Sequence, residues 1–188
     1  MIPQMKGGML SGTGLDASGN NLMTFTGIGW GYGLLLADDI PTFLLQLFTA
    51  AAHANTRGTW TAPEEADIGG GAMPYASSSQ LLMPINLKWA LLWEHPITNN
   101  TVWLGRATPR AWLAEGETIS VTDAPSSIGR VSYTLRSEIS SSKCITANVT
   151  IASHGGGGGG GAVLRLRTPK RSVIVSVNAG GLALPASR

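Results

Sequence analysis

Along the first half of the chain apolar residues recur every three or four positions, and along the second half every two. The change falls near Pro96. In "DDIPTFLLQLFTAAAHA", Asp38 or Asp39 is placed to cap, Pro41 suits a first helical turn, and Phe43, Leu44, Leu47, Phe48 and Ala51 share one helical face. The spacing predicts a helix over 39–54. A second helical pattern, "SSSQLLMPINLKWALLWEHP", has serines to cap it and sets Ile85, Trp89, Leu92 and Trp93 on one face; Pro84 kinks it or starts its regular part, and Pro96 ends it. These two helices make one hairpin, joined by a glycine-rich connection long enough to suggest function or disorder.

After Pro96 six stretches alternate with period two: "TVWLGRA", "ETISVTDA", "GRVSYTLRSEI", "KCITANVTIA", "AVLRLRT" and "SVIVSVN". Val131, Tyr133 and Leu135, and likewise Ile145, Ala147, Val149 and Ile151, alternate with polar neighbours. An antiparallel β-sandwich over 101–178 is the expected arrangement. Between the first two strands, "TPRAWLAEG" reads as one helical turn tucking Trp112 and Leu113 under a sheet. The expected fold is therefore α+β, with residues 1–96 holding a glycine-rich segment and the helical hairpin, and 97–188 the sandwich.

Two glycine-rich stretches interrupt this pattern. "GIGWGYG", residues 27–33, lacks the strand-then-helix setting of a phosphate loop, and reads as a loop facing a pocket or a neighbour, or as simple packing. Gly155 to Gly161 lie between two strands; they read as a disordered, functionally silent linker, because glycine loses the most backbone freedom when ordered.

Composition narrows the function classes. Charged residues make up 13% of the chain, about half the usual ~25%. The net charge of +2 hides an acidic stretch over 1–128 and a basic one over 129–188. The basic residues lie at alternating strand positions or in turns, and Tyr133 is the only aromatic beyond Trp112. That argues against nucleic-acid binding, which uses aromatic stacking platforms. The lone Cys144 sits in an alternating strand and reads as a buried, inert thiol. His53, His95 and His154 are too scattered for a zinc motif, so neither metal nor cofactor is expected. No stretch has the ~18 apolar residues of a membrane span, and the N-terminus lacks a signal-peptide pattern. The chain as it stands reads as cytoplasmic.

The chemistry concentrates in "HANTRGTWTAPEEADIGGG", residues 53–71, where His53, Arg57, Trp60, Glu64, Glu65 and Asp67 precede three glycines. Acidic and aromatic groups on a turn suit a sugar-cleaving site, and equally a solvated acidic turn at the mouth of a hairpin.

From "PINLKWALLWE" through "VWLGRATPRAWLAEGETISVTDAPSSIGRVSYTLRS" to "AVLRLRTPKRSVIVSVNAGG", the chain resembles the C-terminal part of bacterial six-hairpin glycosidases, over about residues 25–180. In that family six helical hairpins ring the active site, an (α/α)6 barrel, and a β-sandwich often follows. The resemblance implies a glycoside-hydrolase-like fragment with one wall of a carbohydrate site and its supporting sandwich, and without activity alone. It departs from the pattern in having one hairpin where a ring needs six, and in the heptaglycine where a shorter polar turn is expected.

In that setting Glu64 is the candidate general acid. Trp60 or Trp30 would stack on sugar, Arg57 or His53 would hydrogen-bond hydroxyls, and Glu65 lies among the substrate-contacting positions. Adjacent glutamates point apart, so at most one is catalytic. Expected partners are a carbohydrate, and either the missing hairpins or another protein chain over an apolar helical face carrying Phe43, Phe48, Trp89 and Trp93. The alternative is a non-catalytic carbohydrate-binding or structural β-sandwich module.

Overall fold

The computed structural model describes residues 5–6, 9–11, 22–66, 75–97, 100–152, 160–169, 172–179 and 182–184. The chain divides into two compact units, Met1–His95 and Pro96–Arg188. The fold is α+β.

In the first unit, β1 (Met5–Lys6), β2 (Met9–Ser11), β3 (Leu22–Met23) and β4 (Glu65–Ala66) form a small antiparallel sheet in sequential order. The alternation did not predict this sheet, whose strands are too short to carry a period. Helices α1 (Gly27–Leu36), α2 (Ile40–His53) and α4 (Leu82–Leu91) pack on one another, and α3 (Ser77–Gln80) is a single turn ahead of α4. The Asp39 carboxylate caps α2 by accepting from Thr42 N at 3.2 Å, and Pro41 occupies its first turn.

A single hairpin is thus replaced by three packed helices, because "GIGWGYG" is the start of α1 and not a loop. Helix packing explains the glycines. A Cβ at Gly27 would lie 2.6 Å from Gln46 Nε2, and one at Gly31 would lie 2.7 Å from Asn86 Oδ1 and 2.9 Å from Gln46 Oε1. Gln46 and Asn86 are buried in this junction, where Gln46 Nε2 donates to the Gly27 carbonyl at 2.6 Å. Among the described residues, Gln46 Oε1 and both polar atoms of the Asn86 amide lack hydrogen-bond partners. The apolar core beside it includes Ala50, Ala54 and Leu82, with Ile28 and Met83 packed against them.

The second helical pattern is cut twice. Its serines lie within α3 instead of capping, with Ser79 buried, and Pro84 falls in the first turn of α4, where a missing N–H costs little. At Leu92 the backbone turns extended (φ −137°, ψ 113°), so Leu92 and Trp93 belong to β5 (Leu92–Glu94) and not to the helix. Trp93 is fully buried: its ring centroid lies 6.4 Å from that of Tyr32 and 5.0 Å, edge-on, from that of His95, while Trp89 meets Tyr32 at 5.4 Å. Of the four aromatics expected on an open apolar face, Phe43 and Trp93 are buried, Trp89 is half-buried, and Phe48 alone is exposed.

The second unit begins with β6 (Thr101–Leu104), then a 3₁₀ turn (Arg110–Leu113) that buries Leu113 and half-buries Trp112, as its apolar pair predicts. Next come β7 (Thr118–Ser126), β8 (Gly129–Glu138) and β9 (Cys144–Ala152), an antiparallel meander. A bulge between Val121 and Ala124 leaves Asp123 at φ +54°, its N–H bonded to Ser132 Oγ and its carboxylate to Arg130. The turn between β8 and β9 is tied to Glu115, whose carboxylate accepts from Ser140 N and Ser141 Oγ at 2.6 Å each; these bonds hold the carboxyl below its ordinary pKa.

Then β10 (Gly161–Leu164) pairs with β6 in parallel, so the unit is not purely antiparallel. β11 (Val177–Ala179) and β12 (Leu182–Leu184) form a final hairpin. Of the "SVIVSVN" strand only its end is realised, since residues 172–176 join no ladder. Cys144 is exposed, not buried, because it stands opposite Glu138 in the outward row of β9, on the face away from Val131, Tyr133 and Leu135. Most of the heptaglycine lies outside the described residues, and Gly161 already belongs to β10.

The inward row of β8 (Val131, Tyr133, Leu135 and Ser137) is buried, and Ser137 Oγ donates to the Leu113 carbonyl at 2.8 Å. Burial pushes the Tyr133 phenol well above its ordinary value of 10.0, against the smaller opposing effect of a backbone hydrogen bond at Gly105. The unfolded chain therefore loses this proton first. Stability from the neutral phenol is fully present below pH 10 and falls as pH rises beyond it. Tyr133→Phe is expected to flatten the alkaline limb of a melting-temperature profile between pH 9 and 11 relative to the parent, as read by far-UV circular dichroism.

Candidate functional site

The C-terminus of α2 leads into a closed loop built on threonines. Thr56 N donates to the Thr61 carbonyl at 2.8 Å, Trp60 N to the Thr56 carbonyl at 3.0 Å, and Thr61 N to Thr56 Oγ1 at 3.0 Å. The hydroxyls of Thr56, Thr59 and Thr61 are mutually within bonding distance. Gly58 (φ +92°) makes the turn. Trp60 takes φ +55°, a left-handed conformation that costs a bulky residue on the order of 1–3 kcal/mol and persists where the surroundings over-determine it. The threonine bonds supply that constraint, and they present an indole that is 61% exposed.

Beyond the loop the backbone is anchored. The Ala62 carbonyl accepts from Ala76 N (3.0 Å) and Gln80 Nε2 (3.2 Å). The Glu64 carbonyl accepts from Thr24 N at 3.1 Å and lies 2.7 Å from Thr24 Oγ1, a hydroxyl that also contacts the Pro63 carbonyl and Ser79 Oγ. Buried Thr24 therefore locks the base of the loop to α3. The Ala76–Ala62 bond ties the backbone next to Tyr75, 59% exposed, to the segment that follows Trp60.

The structure gathers His53, Arg57 and Trp60 on and beside this loop, all exposed, with Glu64 half-buried at its base. Glu65 begins β4, opposite Met23. Trp30 is half-buried on α1 with its indole nitrogen enclosed, and among the described residues no ring contact links it to Trp60. Asp67 and the three glycines lie outside the described residues.

Thr24, Ser79, Gln80 and Tyr75 were missed from the sequence. Only the threonine spacing of "NTRGTWT" hinted at a hydroxyl-closed turn. Among the described residues no group of three His, Cys, Asp or Glu side chains is placed to hold a metal ion, and no helix is long and apolar enough to cross a membrane. Comparison with protein-family models, with curated proteins and with solved structures gives no match.

Proposed function

We propose that the chain supplies one wall of a carbohydrate site, with the Thr56–Thr61 loop as its contact surface. The observation that carries this reading is Trp60, whose backbone is held in a left-handed conformation by the threonine loop and whose side chain is largely exposed. A pyranose ring has an apolar face of C–H groups that lies flat on such a ring, and an aromatic carried on a pre-ordered loop leaves less backbone entropy to lose on binding. Tyr75 is a second exposed aromatic tied to the base of the loop through the Ala76–Ala62 bond, and the exposed Arg57 and His53 would supply hydrogen bonds to sugar hydroxyls.

In the glycosidase reading Glu64 is the acid. Cleavage needs a second carboxyl group across the scissile bond, and adjacent side chains rarely converge across a sugar, so Glu65 is not proposed as that partner. The chain alone binds and does not cleave; other helical hairpins or a further protein chain would complete a catalytic ring. As a non-catalytic binding module it would use the same Trp60 surface.

Titrating oligosaccharides against tryptophan fluorescence tests the reading. Weak saturable binding is expected, lowered at least about tenfold (~1.4 kcal/mol) by Trp60→Ala and unaffected by Glu64→Gln in a chain that releases no reducing sugar. Binding unchanged in Trp60→Ala removes this loop from the site, and hydrolysis by the purified chain overturns the one-wall reading.

A further inference from the structure

Two features of the second unit lack strand partners among the described residues. The first is β9, the outer strand of the meander: among the described residues its backbone bonds run to β8 along one edge only. Proteins usually block such an edge with charge, proline or a bulge. The nine residues of β9 contain no charged residue and no proline, and their register with β8 is unbroken. On its inward face Val149 and Ile151 stand opposite the buried Tyr133 and Val131, yet are 42% and 36% exposed. The apolar face of the sheet runs one strand beyond its cover.

The second feature is Ser172–Ser176, where Val173, Ile174 and Val175 follow one another and are 80%, 39% and 89% exposed. Consecutive β-branched residues favour a strand, and here they join none. An open strand edge and an unpaired strand-forming segment are complementary, but the two do not pair within one chain.

We infer that the chain self-associates by strand addition, the 172–176 segment of one copy lying along β9 of a second copy. Backbone bonds supply affinity in this mode, and alternate side chains supply register. The edge calls for an uncharged, β-branched occupant, and each copy displays one such segment and one such edge. Val173 and Val175, two residues apart, fall on one face of the added strand, where they continue the apolar row of Val149 and Ile151. Reciprocal exchange makes two joints that hold together as a two-fold dimer.

Light scattering coupled to size exclusion, across a range of concentrations of the full chain, tests this. The parent is expected to at least double its monomer mass on concentration. Val149→Lys and Val175→Lys should each weaken association at least about tenfold with unchanged far-UV circular dichroism. An equimolar mixture of the two variants should regain part of it, because one supplies an intact segment and the other an intact edge. Val175 is so exposed that its substitution has little packing to lose, and it decides the matter should Val149→Lys misfold. A parent that stays monomeric overturns the inference, and so does association that survives Val175→Lys.

Discussion

Alanine placed at each of the four glycines of α1 is expected to split into two pairs with opposite effects. At Gly29 and Gly33 nothing lies within 4 Å of the added Cβ, so only the helical preference of alanine acts, stabilising by up to ~1 kcal/mol. At Gly27 and Gly31 the same methyl meets Gln46, Leu82 and Asn86 inside 3 Å. Those contacts are ends of side chains, but Gln46 is 2% exposed, Leu82 1% and Asn86 0%, so they have no solvent to move into. Shifting Gln46 also strains its bond to the Gly27 carbonyl. Overpacking of this kind costs about 1–3 kcal/mol, which exceeds the propensity gain. Urea unfolding followed by circular dichroism reads all four variants. Destabilisation of equal size at all four positions would mean that α1 does not depend on close approach.

Trp93→Ala is expected to cost about 3–5 kcal/mol, the range for deleting a fully enclosed large aromatic. The indole is enclosed between Tyr32 and His95, and its removal leaves a cavity that neither ring can fill without leaving its own contacts. Whole domains are stable by only ~5–15 kcal/mol, so the variant should melt far below the parent, while Trp93→Phe keeps much of the loss away. Near-UV circular dichroism should show the aromatic signal collapsing in the alanine variant alone. A melting temperature within a few degrees of the parent would mean that the cluster is not a support of the first unit.

The sequence was informative where one local rule governed each residue. Asp39, Pro41 and a regular apolar spacing marked α2, and strict alternation marked β7, β8 and β9. It misled where packing overrode propensity. Glycines at 27 and 31 argue against a helix on their own, and are in α1 because only glycine lets it approach Gln46 and Asn86. Leu92 and Trp93 kept a helical spacing by coincidence while the backbone had already turned extended. Alternation in β9 correctly identified an apolar face of Ile145, Ala147, Val149 and Ile151, but could not say whether another layer covered it; Cys144 is in the other, polar row, and its apolar type alone suggested burial. At the candidate site the residue types of the loop were legible. The anchoring by Thr24 and Ser79 was not, because it joins positions separated by the whole of α1 and α2.

The parallel pairing of β10 with β6 also bears on the order in which the second unit assembles. Gly161 stands opposite Thr101, and all of the β7–β9 meander lies between them in the chain. The meander zips through turns of a few residues, whereas the parallel ladder must close a long loop before it gains a bond. Pairings of such sequence separation slow folding. The meander should therefore acquire amide-exchange protection in an early kinetic phase and β10 in a later one. A nascent chain halted shortly after Ala152 would already hold its central sheet, with β6 still waiting for its neighbour.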